Sequence, residues 1–157
     1  MAFDKAYEFL KNKGLEDRVK EFELSTATVE LAAIANGTDE GSIAKSLTFL
    51  VDEKAIMILC AGDYKIDNPK YKAEFHTKAK MLSRDQLLEM VGHDIGGVCP
   101  FGIKEGVKVY LDESLKTHEI VYPACGSDNS AVKLSIAELE KASDYDKWID
   151  VCKEMEK

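Results

Sequence analysis

The chain has 157 residues, of which 45% are hydrophobic and 32% charged, and its formal net charge is -8. This length suits one compact domain with its own core, so we expect residues 1–157 to form a single domain. The negative charge argues against broad binding to nucleic acid, which requires many phosphate contacts from Lys and Arg. We therefore expect no DNA partner.

The first residues of the chain lack the uninterrupted apolar stretch of a signal peptide, and no apolar run is long enough to span a bilayer. The four cysteines are widely spaced without a CxxC pair, so they should stay reduced: Cys60, Cys99, Cys125 and Cys152. These features predict a cytoplasmic protein without a membrane partner. Because one core can use all the apolar residues, we expect a monomer.

The chain begins with an amphipathic pattern that predicts a helix within Met1–Lys13. Residues Val19–Leu24 then alternate as the residues of a half-buried strand do. Ser25 or Thr26 is expected to cap a second helix, which should end near Gly37.

The clearest sheet signal is a hairpin formed by Leu47–Val51 and Ala55–Cys60, with a polar turn at Asp52–Lys54. Both arms are continuously apolar rather than alternating. This pattern is typical of central strands that are covered on both faces.

The remaining elements are predicted from caps, periodicity and β-branched runs. Helices should begin near Pro69, Ser83 and Ser135, a terminal helix should lie around Tyr145–Cys152, and strands should lie at Val107–Leu111, Glu119–Tyr122 and Ala131–Leu134. The predicted fold class is α/β of the α+β type, with a mixed, largely antiparallel sheet flanked by helices.

An irregular segment, Gly92–Gly102, contains four glycines and a proline within eleven residues. Glycine lets backbone amides and carbonyls approach a ligand closely. The segment matches neither the dinucleotide-binding fingerprint nor the phosphate-binding P-loop, so on its own it is a weak signal.

Cys99 lies in this segment and raises the hypothesis of a thiol nucleophile, with His93, His76 or His118 as its base. A metal site built from Cys99, Cys125 and His93 lacks the paired short spacing of zinc sites. Packing is the favoured interpretation, since cysteine is among the most often buried residues. We therefore expect no metal site at these residues.

Lys45 stands within the apolar run that leads into the hairpin. A buried ammonium without a partner is costly, so this side chain should reach an edge of the sheet or meet an anion. Both interpretations stay open. A second cationic feature is a cluster that is either a phosphate-binding patch or a solvated surface: Lys65, Lys70, Lys72, Lys78 and Lys80.

At these residues the sequence resembles the YbaK family of free-standing editing domains, also called the prolyl-tRNA synthetase associated domain. The resemblance covers nearly the whole chain. It is carried by Ser25–Ala33, Ile43–Leu47, Gly96–Gly102 and Asn129–Leu139. The spacing of glycine and proline in Gly96–Pro100 is similar to the family's active-site loop, and Lys45 matches its characteristic lysine.

The resemblance implies hydrolysis, in trans, of the ester on mischarged tRNA, typically tRNA(Pro) carrying a small non-cognate amino acid such as alanine or cysteine. It implies no cofactor. Lys45 would hold the terminal phosphate, while the loop backbone would orient the amino acid and polarise the reacting groups: Gly96, Gly97, Val98, Cys99 and Pro100. Further candidate substrate contacts are Thr26, Thr28, Phe101, Gly102, Gly126, Asn129 and Ser130.

The implied partner is the acceptor end of a mischarged tRNA, with the lysine cluster as its binding patch and prolyl-tRNA synthetase as a further candidate partner. Two alternatives remain open, namely a non-catalytic RNA- or synthetase-binding module of the same fold and a Cys99 thiol esterase. Cys99 stands where many relatives have serine, which leaves open whether alanine, cysteine or a small hydroxylated amino acid is removed.

Overall fold

A computed structural model describes residues 2–156. The helices are α1 (Ala2–Lys11), α2 (Val29–Asn36), α3 (Asn68–Phe75), α4 (Arg84–Met90) and α5 (Ile136–Ser143). The strands are β1 (Val19–Glu21), β2 (Ala44–Val51), β3 (Lys54–Ala61), β4 (Tyr64–Ile66), β5 (Lys108–Asp112), β6 (Ile120–Val121), β7 (Ser130–Val132), β8 (Leu134–Ser135), β9 (Lys147–Ile149) and β10 (Cys152–Glu154).

The main sheet has the strand order β2-β3-β5-β9. Strands β2 and β3 form the predicted antiparallel hairpin, whereas β3 with β5 and β5 with β9 are parallel pairs. Smaller antiparallel pairs join β1 to β7, β4 to β10 and β6 to β8. The prediction of a mixed, largely antiparallel α+β fold is confirmed.

Strand β3 separates two hydrophobic cores because successive side chains point to opposite faces of a sheet. Met57 and Leu59 belong to the larger core, which also contains α1, α4 and α5 residues. Ile56 and Ile58 belong to the second core, where Tyr71 of α3 packs at 5.2 Å, between ring centroids, from Phe49.

The prediction that both arms of the hairpin are central strands is wrong for β2, which lies at the edge of the main sheet. Its outer edge is partly covered by Lys80–Leu82: Leu50 N donates to Lys80 O at 2.8 Å, and Leu82 N donates to Thr48 O at 3.2 Å. These bonds satisfy backbone groups that would otherwise be open to pairing with another chain. The apolar run of β2 is therefore bordered by β3 on one edge and by Lys80–Leu82 on part of the other, not by a strand on each side.

Local capping sets the helix starts. The predicted helix starts at Ser83 and Ser135 are confirmed, and each serine forms a capping box, at α4 and α5 respectively. The predicted cap of α2 is wrong, because Thr28 takes this place and accepts a bond from Leu31 N at 3.2 Å. Thr26 is unavailable as a cap, since its hydroxyl is buried and donates to Ser130 O at 3.3 Å.

The predicted terminal helix around Tyr145–Cys152 is also wrong, since this segment forms β9 and β10. A segment this short gains little from helix formation on its own. The open edge of β5 instead offers parallel pairing to β9. Asp112 Oδ1 also accepts a bond from Val151 N at 2.8 Å, which holds the connection to β10.

Within residues 2–156, the helices are all too short or too polar to cross a membrane. The four cysteines are free and buried, as predicted for reduced thiols.

Candidate active site

A cavity of about 380 Å³ opens beside β2, between the start of α2 and the glycine-rich loop. Its wall is largely apolar, and Lys45 is the one charged residue among the described residues that line it. The lining comprises Thr26, Ala27, Thr28, Val29, Ala32, Ile43, Ala44, Lys45, Ser46, Thr48, Met81, Leu82, Leu87, Ile95, Gly96, Val98, Tyr122, Ala124, Ser130 and Ala131.

Three of the six hydroxyl groups of the wall are engaged within the protein. Thr26 Oγ1 donates to Ser130 O at 3.3 Å, and Thr28 Oγ1 caps α2. Ser130 Oγ lies 2.6 Å from Ser127 Oγ. Ser46 differs, because its Oγ is buried and has no hydrogen-bond partner within the part of the chain that the structure describes.

Lys45 lies at the start of β2, opposite Cys60 of β3. Strand alternation places its side chain on the same face as Leu47 and Phe49, and its Nζ then reaches the edge of the sheet. There it lies 3.5 Å from Gly62 O and 4.0 Å from Met155 Sδ. Within residues 2–156 no carboxylate pairs with this ammonium, so it is available to an external anion.

Lys45 also borders a second depression, of about 1110 Å³, which we call the acidic groove. Six carboxylates line this groove: Glu30, Asp39, Glu40, Asp63, Glu154 and Glu156. Like charges repel, so a phosphate would be disfavoured in the groove and favoured on the cavity side of Lys45.

Glycine conformation and local hydrogen bonds define the loop that contributes Gly96 and Val98 to the cavity. Gly96 has a φ of 90°, a conformation that glycine adopts without strain. Gly97 N donates to Asp94 O at 3.1 Å, and Ile95 N donates to Asp94 Oδ1 at 2.8 Å. Among the described residues, the N–H groups of Gly96 and Val98 have no protein acceptor, so they can donate to a ligand.

Asp94 anchors this loop to the first turn of α4. Arg84 donates to both carboxylate oxygens, from Nε at 3.0 Å and from Nη2 at 2.8 Å. The guanidinium, together with the Ile95 N–H, lowers the pKa of Asp94 to about 2. Both partners are substantially exposed, so this pair fixes the loop's position more than it adds stability.

His93 and Cys99 meet beneath the loop, with His93 Nε2 3.4 Å from Cys99 Sγ. The histidine is 1% exposed, and its Nε2 lies 2.9 Å from Phe101 O. Because a carbonyl only accepts, Nε2 carries the proton, and Nδ1 is buried without a partner in residues 2–156. This arrangement holds the two ends of the loop together.

The buried His93 predicts a loss of stability in acid. Burial, with a smaller effect from the charge of Lys5, lowers the pKa of His93 below its usual value of 6.5. Its neutral form therefore stabilises the fold above about pH 6.5, and this contribution is lost as the pH falls through the folded-state pKa. Melting temperatures measured from about pH 8 to about pH 5 should fall.

His93→Gln should flatten this pH dependence, because glutamine can donate to Phe101 O without titrating. His76→Gln is the control, since His76 is exposed and should leave the profile unchanged. Identical profiles for the wild type and His93→Gln would contradict the role given to His93.

Several other predicted site residues do not line the cavity. Gly97 packs on the neighbouring loop, where an added Cβ would lie 2.6 Å from Ser127 N. Gly102 and Gly126 pack against the backbone of α1, and Phe101 is fully buried at 6.4 Å, between ring centroids, from Phe9. Cys99 and Pro100 are also buried. These residues support the loop from behind.

Asn129 likewise has a structural partner, since its Nδ2 donates to Phe22 O at 3.2 Å. The structure therefore brings six of the predicted residues together at the cavity: Thr26, Thr28, Lys45, Gly96, Val98 and Ser130.

None of the five clustered lysines lines the cavity. Lys80 comes closest along the chain, because it precedes the lining residue Met81. Lys70 is paired with Asp150 at 3.0 Å, and Lys65 lies opposite Lys153 in the β4–β10 pair. Lys72 and Lys78 are exposed.

Sequence reasoning missed the wall residues Ser46 and Thr48 of β2. Strand alternation was the available signal, because residues next to Lys45 must point to the opposite face of the sheet. Met81, Leu82 and Ile95 carried no comparable signal, since they reach the wall only through tertiary packing.

The chain matches the model of the aminoacyl-tRNA editing domain over residues 23–142. The uncharacterized protein YwhH of Bacillus subtilis (strain 168) is 52% identical over 142 residues, which cover 90% of each chain. The proline--tRNA ligase of Halalkalibacterium halodurans is 31% identical over 104 residues, which cover 66% of this chain but only 18% of that ligase.

A solved structure described as "a putative trans-editing enzyme for prolyl tRNA synthetase" superposes with a TM-score of 0.87. It is 27% identical and is aligned over 97% of both chains. The match to the family model includes all residues of the cavity wall, from Thr26 to Ala131, and the loop Gly96–Gly102. The predicted resemblance is thus confirmed, and the chain belongs to the aminoacyl-tRNA editing domain family.

Proposed function

We propose that this protein is an aminoacyl-tRNA deacylase that acts in trans on mischarged tRNA, with tRNA(Pro) carrying a small non-cognate amino acid as its substrate. The observation that carries the proposal is that one cavity is lined both by a lysine whose ammonium has no carboxylate partner within residues 2–156 and by backbone donors without acceptors there. Lys45 supplies the cation, and Gly96 and Val98 supply the donors.

The reaction would be hydrolysis of the ester between the amino acid and the terminal ribose. A water oxygen attacks the carbonyl carbon, the bond from that carbon to the ribose oxygen breaks, and the ribose oxygen takes up a proton. The N–H groups of Gly96 and Val98 would stabilise the negative charge that develops on the carbonyl oxygen. An ester is already activated, so positioning and these dipoles suffice without a protein nucleophile.

The size of the cavity supports a small amino acid. A volume of about 380 Å³ lies near the lower limit of ligand pockets, so the cavity suits an aminoacyl group with a short side chain, such as that of alanine or cysteine. The remainder of the tRNA would stay outside.

Lys45 would hold the terminal phosphate. Its long flexible stem allows Nζ to move from Gly62 O towards the cavity mouth, and an ammonium binds phosphate as a compact charge. Repulsion from the acidic groove would keep the RNA backbone on the cavity side of Lys45. Of the clustered lysines, Lys80 is the one we propose next to the acceptor end, with the exposed Lys72 and Lys78 further along the tRNA.

A Cys99 thiol esterase has less support. Cys99 is fully buried, and this burial raises the pKa of its thiol well above the usual range. A nucleophilic cysteine needs an accessible thiolate. His93 also donates its Nε2 proton to Phe101 O, so its position does not favour proton removal from Cys99.

The test is to incubate the purified protein with tRNA(Pro) charged separately with alanine, cysteine, serine or threonine. We expect release of at least one of these amino acids at an enzymatic rate, while cognate prolyl-tRNA(Pro) stays intact. A non-catalytic binding module would instead protect the esters from spontaneous hydrolysis. Protection of the whole panel without any release would contradict the proposal.

A further inference from the structure

We propose that the Ser46 hydroxyl selects amino acids whose side chains form hydrogen bonds, with serine and threonine preferred over alanine. This inference rests on the proposed deacylase function. It names the chemical class of amino acid that the cavity accepts.

The inference starts from the position of Ser46 on β2. Alternation along the strand directs Ser46, with Ala44 and Thr48, towards the cavity and away from the face of Phe49. The Oγ of Ser46 is buried and has no hydrogen-bond partner within residues 2–156. Buried polar groups in folded proteins are nearly always paired, so an unpaired hydroxyl in a cavity wall indicates a ligand group as its partner.

The charge of the cavity wall limits what this ligand group can be. No Asp or Glu is found among the described residues that line the cavity. A buried ammonium without an anion is costly, so the α-ammonium of the amino acid is disfavoured deep in the cavity. The partner of Ser46 is therefore an uncharged group. Because the ester carbonyl oxygen is assigned to the N–H groups of Gly96 and Val98, the remaining group on a small amino acid is a side-chain hydroxyl or, more weakly, a thiol.

Alanine would fill the same space with a methyl group. Ser46 Oγ would then stay unpaired, whereas the hydroxyl of a seryl or threonyl ester would pair with it and strengthen binding of that ester. Sites built to pair with a substrate hydroxyl discriminate against the analogue without it for this reason. The lining also includes the apolar side chains of Leu82 and Leu87, which offer no alternative hydrogen-bond partner.

The experiment compares kcat/KM for seryl-tRNA(Pro) and alanyl-tRNA(Pro). For the wild type we expect a preference for the seryl ester of roughly 10-fold or more. Ser46→Ala should abolish this preference by lowering kcat/KM for the seryl ester, with little change for the alanyl ester. Ser143→Ala is the matched control, because Ser143 Oγ is also buried and unpaired in the described chain but does not line the cavity.

Other results would overturn the inference. Equal wild-type kcat/KM values for the two esters would contradict it. An equal loss on both esters in Ser46→Ala would also contradict it, because Ser46 would then contact a group common to all amino acids. If Ser46→Ala does not fold, two measurements still test the inference. The wild-type ratio of kcat/KM needs no variant, and Ser46→Thr, which keeps a hydroxyl, should retain the preference. Release of alanine without serine would refute this inference alone, whereas no release from any ester would refute the proposed function and this inference with it.

Discussion

Replacing Lys45 with alanine is expected to lower kcat/KM for the preferred mischarged tRNA by roughly 10- to 150-fold, the range for loss of a hydrogen bond to a charged group. In the proposed complex the ammonium binds the terminal phosphate, which no neighbouring cation of the cavity wall could replace. The fold should be preserved, because Nζ makes only the long contacts to Gly62 O at 3.5 Å and to Met155 Sδ at 4.0 Å.

Single-turnover deacylation, together with melting temperature, measures both parts of this expectation. Lys54→Ala is the matched control: Lys54 belongs to the same hairpin and is exposed, but lies at its other end, opposite Val51. The control should retain wild-type activity. If Lys45→Ala deacylates mischarged tRNA as fast as Lys54→Ala, the assignment of the site loses its main support.

The second large effect is expected for Gly96→Ala. At a φ of 90° an alanine is strained, and its Cβ would lie 3.3 Å from both Ala27 Cβ and Asp128 Cβ. The loop must shift to relieve these contacts, which moves the N–H groups of Gly96 and Val98 away from the ester carbonyl. Loss of one such donor costs about 100-fold or more in kcat, so we expect a fall of that order.

Gly106→Ala separates the effect on the site from general backbone strain. Gly106 has nearly the same φ, 92°, but a Cβ there would meet no atom within 4 Å. Both variants should lose about 1–2 kcal/mol of stability because of the left-handed conformation. Only Gly96→Ala should lose activity, as measured by kcat on the same mischarged tRNA. Equal kcat for the two variants would show that the loop backbone does not take part in the reaction.

Local chemistry in the sequence was sufficient for much of the fold. The hairpin and the caps at Ser83 and Ser135 were predicted correctly, because turns and capping boxes depend on neighbouring residues. The terminal segment around Trp148 was not, because its conformation depends on the open edge of β5. The apolar run of β2 led to the wrong prediction of a central strand. Its outer edge is covered by another chain segment rather than by a strand.

At the candidate site, too, some features could be predicted from the sequence whereas others depend on tertiary packing. Lys45 was recognised as an unusual residue within an apolar strand, and the structure shows its Nζ at the edge of the sheet without a carboxylate partner in the described chain. The glycine loop was recognised from its composition. Phe101 and Gly102 do not line the cavity, because a residue's place in a motif does not show whether it faces the cavity or the core behind the loop.

The sequence by itself determined the positions of the hairpin, the caps of α4 and α5 and the glycine loop, as well as the family resemblance. These features depend on residues that are close along the chain. Only the tertiary structure decided which side of each element faces the cavity. It turned Ser46 towards the ligand space, buried His93 against Cys99 and placed Met81 at the mouth, because the packing of distant segments determines which groups are enclosed and which remain open.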